Sequence, residues 1–327
     1  MIPAGASRRA GRAAAALALA ALVLFPATGL AFYVELVTKV MVLAIFAMSL
    51  DLLVGCTGLV SLGHAAYFGI GAYVLALATP RYAPASLWVT LPAAVAVAGL
   101  AALAVGVFVV RVRSIYFIMA TLAFAQMFFF LFHDTEFGRG SDGITMNFRP
   151  VAGLGALGSF DASRPLHAYY LVLAAMLLAL AFLRRLRLSA FGRALQGIRA
   201  NEQRMRSLGY PTYRYKLASF AIAGSLAGLA GYLSAMQYGF VSPELLSWHQ
   251  SGNALVMVIL GGIGSIYGAA AGAFAFALLQ EVFQSTTTHW QLLLGATIVL
   301  LVLFVPGGLS SLRSRFRRAL VGGPGGD

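Results

Sequence analysis

The chain has 327 residues, of which 60% are hydrophobic and 10% charged, and its formal net charge is +13. Soluble domains carry roughly 25% charged residues, so this chain lacks the polar surface needed to face water on all sides, and soluble enzymes are excluded as a class. Its single cysteine, Cys56, excludes both an internal disulfide and a cysteine-based zinc site.

Of the 23 basic residues, 21 are arginine, and most gather at Arg8–Arg12, Arg111–Arg113, Arg184–Lys216 and Arg313–Arg318, with long apolar stretches between the groups. That is the layout of a polytopic membrane protein, and no nucleic-acid partner is expected from the charge. A membrane helix needs about 20 mainly apolar residues. Ten candidate spans meet or approach this: 13–31, 34–54, 58–78, 87–110, 114–132, 168–184, 217–239, 253–267, 268–285 and 289–306. The eighth and ninth are short and joined by a glycine-rich bend, which suggests a broken or re-entrant pair. With both termini inside, the inner segments hold 18 Lys/Arg and the outer segments four, the asymmetry expected of cytoplasmic loops. The expected fold is therefore all-α and polytopic, a single transmembrane domain over 1–327.

At the start, Arg8, Arg9 and Arg12 precede an Ala/Leu run and the small-residue stretch Ala27–Ala31. These flanks fit a signal anchor forming the first span, which is the expectation here, with a cleaved signal peptide as the competing reading. Glu35 and Lys39 stand four residues apart, the spacing of an interfacial ion pair on a helix. Between the fifth and sixth spans, residues 133–167 form an external loop rich in Gly, Asp and Pro; residues 185–216 form the basic loop on the other side.

Two glycine-rich segments stand out, Gly58-Leu-Val-Ser-Leu-Gly-His64 continuing to Tyr73, and Gly261-Gly-Ile-Gly-Ser265 continuing to Gly272. Small residues let helices approach closely in lipid, and glycines permit a break that lines a transport path. Aligning Gly58-x-x-Ser61 with Gly262-x-x-Ser265 suggests a two-halves internal repeat, the pattern that points to a central path in transporters. Ser61, Gly63, His64, Gly262, Gly264 and Ser265 are the candidate path residues. His64 lies within a span, where an ionisable side chain is either functional or bonded for packing. The other histidines fall at span ends, no metal-ligand spacing occurs, and no metal or cofactor is expected.

In 189–209, Phe191, Leu195, Ile198, Met205 and Leu208 recur at near-helical spacing between Arg193, Arg199, Arg204 and Arg206, with Gly209 and Pro211 as a stop. This reads as a basic helix on the anionic inner leaflet or as a docking element for a protein partner.

Several blocks now carry a family resemblance: Gly58–Tyr73, Gly138-Arg-Gly-Ser-Asp-Gly-Ile144, Phe191–Glu202 with Leu208-Gly209 and Lys216-Leu217, Gly228-Leu-Ala-Gly231, Gly261–Gly272 and Phe304-Val-Pro-Gly-Gly-Leu309. In this order the chain resembles the permease subunits of branched-chain amino-acid ABC importers, of the LivM kind, over roughly residues 40–310. The resemblance implies a second homologous permease, two cytoplasmic P-loop ATPases and a periplasmic binding protein as partners, in a bacterial inner membrane. It also implies that Asn201, Glu202, Arg206 and Gly209 lie where the ATPase docks, and that the glycine-broken segments move in alternating access. The chain departs from the family at Arg204-Met205-Arg206, where small residues and an acid are usual. No GxxxxGK[ST] sequence occurs, so ATP hydrolysis is left to partners. The same architecture could import urea, short amides or a small sugar. An ion-coupled secondary transporter is disfavoured by the scarcity of acids deep in the spans, and a membrane enzyme by the lack of paired acids or a nucleophile with its base.

Overall fold

Helices that are apolar all round must be buried in protein or face lipid, and both outcomes occur here. A computed structural model describes residues 17, 19–80, 82–112, 114–153, 159–304 and 307–309. Helix α1 (Ala31–Asp51) continues into a π-helical turn, Leu52–Thr57, forming one apolar rod of 27 residues. Then follow α2 (His64–Ala78), α3 (Leu87–Val109), α4 (Ile115–His133) and α5 (Pro165–Leu188). Two short helices, α6 (Ala190–Ala200) and α7 (Glu202–Ser207), lead to α8 (Thr212–Tyr238), and α9 (Trp248–Gly261), α10 (Ile266–Thr286) and α11 (Trp290–Phe304) complete the described chain.

The rod of α1 and the helices α3, α4, α5, α8 and α10 are each long and apolar enough to cross a membrane, while α2 and Trp290–Leu301 are shorter apolar helices. The protein is thus an all-α polytopic membrane protein. The rod that α1 forms with the π-turn is buried from Val40 to Thr57 at every position but Leu43, and this part forms the centre, while its first residues are largely exposed. Helices α3 and α4 instead expose Val89, Leu100, Phe108, Tyr116, Met119 and Met127, large apolar groups that only lipid or another apolar protein surface would tolerate.

Small residues set the packing distances. A Cβ on Gly71 of α2 would run into the Gly228 backbone of α8, one on Gly231 into the Phe68 carbonyl, and one on Gly224 into the Ala102 methyl of α3. The tightest part of the bundle, α2 against α3 and α8, is therefore a small-residue seam in which backbones touch directly.

Three expectations change. The span 58–78 is helical only from His64, because Gly58 adopts φ +75° and ends the π-turn in the left-handed region, leaving 58–63 outside any helix. The basic stretch 189–209 is two helices, divided at Asn201, whose extended backbone (φ −160°, ψ 98°) ends α6 while its side chain caps α7. The loop 133–167 contains short strands: β1 (Ile144–Thr145) pairs antiparallel with β4 (Phe240–Val241), and β2 (Val151–Gly153) pairs antiparallel with β3 (Ser159–Asp161). The β1–β4 pair ties this loop to the connection between α8 and α9. Of the first expected span, 13–31, residues 17 and 19–31 are described: residues 19–24 are helical, Phe25–Thr28 form a 3₁₀ turn and α1 already begins at Ala31, while the signal-peptide reading on Arg8, Arg9 and Arg12 lies outside the described residues. The final basic group, Arg313–Arg318, lies outside them too.

Candidate functional site

The π-turn at the end of α1 leaves backbone carbonyls without the usual helical partners, and the chain supplies one from a distance. The Arg199 guanidinium, at the end of α6, donates to the Gly55 carbonyl. One helical turn before Gly55, Asp51 Oδ1 accepts from the Gly264 amide at 2.7 Å. Gly264 (φ +82°) belongs to the turn between α9 and α10, and it lies so close to Gly55 that a Cβ on Gly55 would fall 2.6 Å from the Gly264 Cα. Asp51 itself is fully buried. Three segments far apart in sequence thus meet at one end of the bundle: the end of α1, the 262–265 turn and α6. This end also carries the basic loop.

The two glycine-rich segments are both breaks between helices. Gly58 and Gly262 each take positive φ, and a helix starts shortly after each, at His64 and Ile266. Their caps differ. Ser265 Oγ accepts from the Gly268 amide at 3.1 Å and caps α10, whereas Ser61 Oγ accepts only the Gly63 amide, at 3.3 Å. The start of α2 is capped instead from α9, with the Ala65 amide donating to Ser251 Oγ at 2.8 Å. The break also rests on α4: the Leu62 amide donates to Thr121 Oγ1 at 3.3 Å, and a Cβ on Gly63 would meet the Thr121 carbonyl. Ser61, Gly63 and His64 therefore sit among α1, α4 and α9, while Gly264 sits against Gly55 and Asp51. The candidate path residues form two groups.

His64 is fully buried. Its Nε2 lies 2.8 Å from Ser49 Oγ, which is also 2.7 Å from the Phe46 carbonyl, and its ring stacks on Phe46 with centroids 5.4 Å apart. With Ser49 donating to the carbonyl, the imidazole donates through Nε2–H, leaving Nδ1 as a bare acceptor without a partner. Phe68, one turn further along α2, tilts against the same Phe46 ring at 4.8 Å. The His64, Phe46 and Phe68 rings close the middle of the bundle between α1 and α2.

On the basic loop, Asn201 Oδ1 accepts from the Arg204 amide at 2.9 Å, a helix cap. Glu202 Oε1 lies 2.7 Å from Arg206 Nη2 and 3.0 Å from Lys216 Nζ, and it accepts from Thr212 Oγ1 at 3.2 Å. Burial works to raise the Glu202 pKa, but Lys216, Arg206 and Thr212 together outweigh it and hold the carboxyl below its usual value. Glu202 thus braces α7 against the start of α8 with contacts inside the chain. Gly209 (φ +85°) turns the chain after α7, its amide donating to the Arg206 carbonyl at 2.9 Å. The exposed side chains at this tip include those of Asn201, Gln203, Arg204, Arg206, Ser207, Leu208 and Tyr210.

The expected Glu35–Lys39 ion pair is not formed: the ion pairs among the described residues are His133–Asp134, Glu202–Arg206 and Glu202–Lys216. Glu35 is exposed, and the backbone carbonyl of Glu35 is taken by Gln237 Nε2 at 2.8 Å. Lys39 lies one turn deeper and faces a cavity. Asp51 and Arg199 are the residues whose roles the sequence did not reveal. A lone acid closing a long apolar run was the available signal for Asp51; nothing marked Arg199 among the other arginines of its loop.

Residues 32–303 match the family described as branched-chain amino acid transport system / permease component. The high-affinity branched-chain amino acid transport system permease protein LivM of Escherichia coli K12 is 32% identical over 295 residues, covering 84% of this chain and 69% of that protein. LivM of Salmonella typhimurium LT2 is 31% identical over the same length and coverage. The xylose transport system permease protein XylH of E. coli K12 is 32% identical over 124 residues, 36% of this chain and 32% of that protein. No solved structure matches the chain. The family match, the LivM identity over most of the length and the bundle of apolar helices agree, and the chain belongs to the branched-chain amino acid transport system permease family.

Proposed function

We propose that the chain is the membrane permease subunit of an ATP-binding-cassette importer that moves branched-chain or other hydrophobic amino acids across a bacterial inner membrane. It pairs with a second homologous permease, two cytoplasmic P-loop ATPases and a periplasmic binding protein. The observation that carries this reading is the extent of the LivM likeness, 84% of the chain against 36% for the xylose permease; the same contrast favours an amino-acid cargo over a sugar. Ten spans with both termini, 185–216 and the 262–265 turn on the cytoplasmic side, and 133–167 outside, agree with the 18 to four distribution of basic residues.

In this reading the tip around α7, with Arg204, Arg206 and Leu208 exposed, docks on an ATPase. Asn201 caps α7, Glu202 braces it against the start of α8, and Gly209 closes the tip. Movement of the tip is passed through α6 to Arg199, from Arg199 to the Gly55 carbonyl at the end of α1, and from Asp51 to Gly264. One displacement therefore acts on both broken segments, the physical requirement for a coupled switch. Ser61, Gly63, His64, Gly262, Gly264 and Ser265 line the path that opens, where hydroxyls and free backbone groups replace water around a zwitterion. Ser61 and His64 are fully buried, so the conformation described is shut at that level.

The test is uptake of labelled leucine into vesicles holding the chain with its partners. Uptake that requires internal or external ATP on the ATPase side supports the reading. Uptake driven by an ion gradient with no ATPase present overturns it.

A further inference from the structure

A cavity of about 190 Å³ opens at the end of the bundle opposite Asp51 and Arg199. Lys39 of α1, Gln237 of α8, Gln250 and Asn253 of α9, and Gln280 of α10 contribute its polar lining. Val42, Phe68, Met257 and Phe276 give it an apolar floor, and all four are buried. Such a density of polar groups among membrane helices is costly unless it serves a solute or a partner. A liquid water molecule occupies about 30 Å³, so the space is that of a handful of waters, suited to a small solute and too small for a nucleotide or peptide.

The one full charge in the lining, the Lys39 ammonium, has no ion-pair partner among the described residues. Gln237 spends its Nε2 on the Glu35 carbonyl, and its buried Oε1 has no partner; the terminal amide torsion is soft, and a modest turn presents this acceptor to the cavity. Glu35 stands one turn above Lys39 toward the start of α1, on the same helix face. Going down, the floor residue Phe68 rests on Phe46 at 4.8 Å, and Phe46 on His64 at 5.4 Å. The cavity therefore ends at the ring stack that closes the break at Ser61–Gly63. Lys39 and Asp51 are twelve residues apart on one helix, about 18 Å.

Resting on the amino-acid importer reading above, we propose that this cavity is an entry site for a zwitterionic α-amino acid with an aliphatic side chain. The carboxylate is held by Lys39 with the amides of Gln250 and Asn253, the ammonium by Gln237 Oε1, and the aliphatic group by the floor at Val42, Phe68, Met257 and Phe276. A neutral sugar leaves Lys39 uncompensated in a partly desolvated site. A primary amine lacking the carboxylate does the same, with charge repulsion added.

The test uses a reporter cysteine at the mouth, Tyr238→Cys, in the full chain within its vesicle-bound complex. Tyr238 lines the cavity and is exposed, while the native Cys56 is buried. Maleimide labelling is followed with leucine, leucinamide or xylose present, without binding protein. Leucine should slow the labelling and leucinamide and xylose should not. Adding Lys39→Met should raise the leucine needed by about tenfold, as for loss of one charge-assisted hydrogen bond, with labelling in the absence of solute unchanged; Lys39→Arg should restore much of the protection. No protection by leucine in vesicles that still take up leucine with ATP overturns the cavity assignment alone. Protection by xylose and not leucine overturns both the assignment and the amino-acid reading. Equal protection in Lys39→Met overturns the role given to Lys39.

Discussion

Asp51 and Gly264 are 213 positions apart in sequence and joined by a 2.7 Å hydrogen bond from the Gly264 amide to the Asp51 carboxylate. With Arg199 held by the Gly55 carbonyl one turn away, this pair fastens both broken segments and the basic loop at one point.

Replacing Asp51 by alanine leaves the Gly264 amide without an acceptor in a tightly packed place. The expected cost is about 1–3 kcal/mol, seen as a lower unfolding temperature of the detergent-solubilised chain, together with loss of transport. Asp51→Asn keeps a carbonyl oxygen where Oδ1 stands and should lose less of both. Equal behaviour of the two variants would show that the hydrogen bond is not what holds the turn.

Close backbone approach predicts which glycines are irreplaceable. Gly71→Val should fail to assemble or lose several kcal/mol, because the new side chain meets the Gly228 backbone, which cannot rotate away. Gly252, in α9, has nothing within 4 Å of a built Cβ. Gly252→Ala should be neutral or stabilise by up to about 1 kcal/mol through helix propensity. Expression and thermal unfolding of the two variants distinguish them.

The Ser49–His64 contact is separable from the ring stack. His64→Phe keeps an aromatic ring against Phe46 and removes the hydrogen bond; Ser49→Ala removes it from the other side. A double-mutant cycle on unfolding should give a coupling of about 1 kcal/mol. A coupling near zero would leave packing alone as the function of His64.

Glu202 gives a dependence on pH. Its pKa in the folded chain lies below the usual 4.5, so its pairing with Lys216 and Arg206 contributes fully above the unfolded value and is lost as pH falls through the folded one. Glu202→Gln should destabilise the α7–α8 junction at pH 7 by an amount between the about 1 kcal/mol of an exposed pair and the about 3–5 kcal/mol of a buried one. The wild-type advantage should vanish in acid, as read by hydrogen exchange of α7 amides. Arg204→Glu, at an exposed position outside this network, should leave α7 folded and weaken ATPase association.

Much of the bundle was legible in the sequence because lipid imposes a simple rule: an apolar run of sufficient length must be helical. The rule fails at Gly58–Gly63, where apolar residues continue but the backbone leaves the helix at a positive φ, and at Asn201, where one extended residue divides what periodicity reads as a single helix. Glycine positions that looked interchangeable separate in space into seams (Gly71, Gly228) and breaks (Gly58, Gly262). Spacing along a helix placed Glu35 and Lys39 together, but the two do not pair: Lys39 faces the cavity, and Gln237 bonds the Glu35 backbone carbonyl rather than its carboxylate. The Asp51–Gly264 and Arg199–Gly55 contacts were out of reach because they depend on how distant segments meet.

This chain is expected to work inside an ABC importer. The most direct measurement is to tag it, extract its complex from the native membrane in mild detergent, and identify and count the co-purifying chains by mass spectrometry. The expected result is a second homologous permease and two copies of P-loop ATPase per complex, with Arg204→Glu reducing the ATPase recovered. A chain that purifies without any ATPase, yet restores leucine uptake when reconstituted by itself, would contradict it.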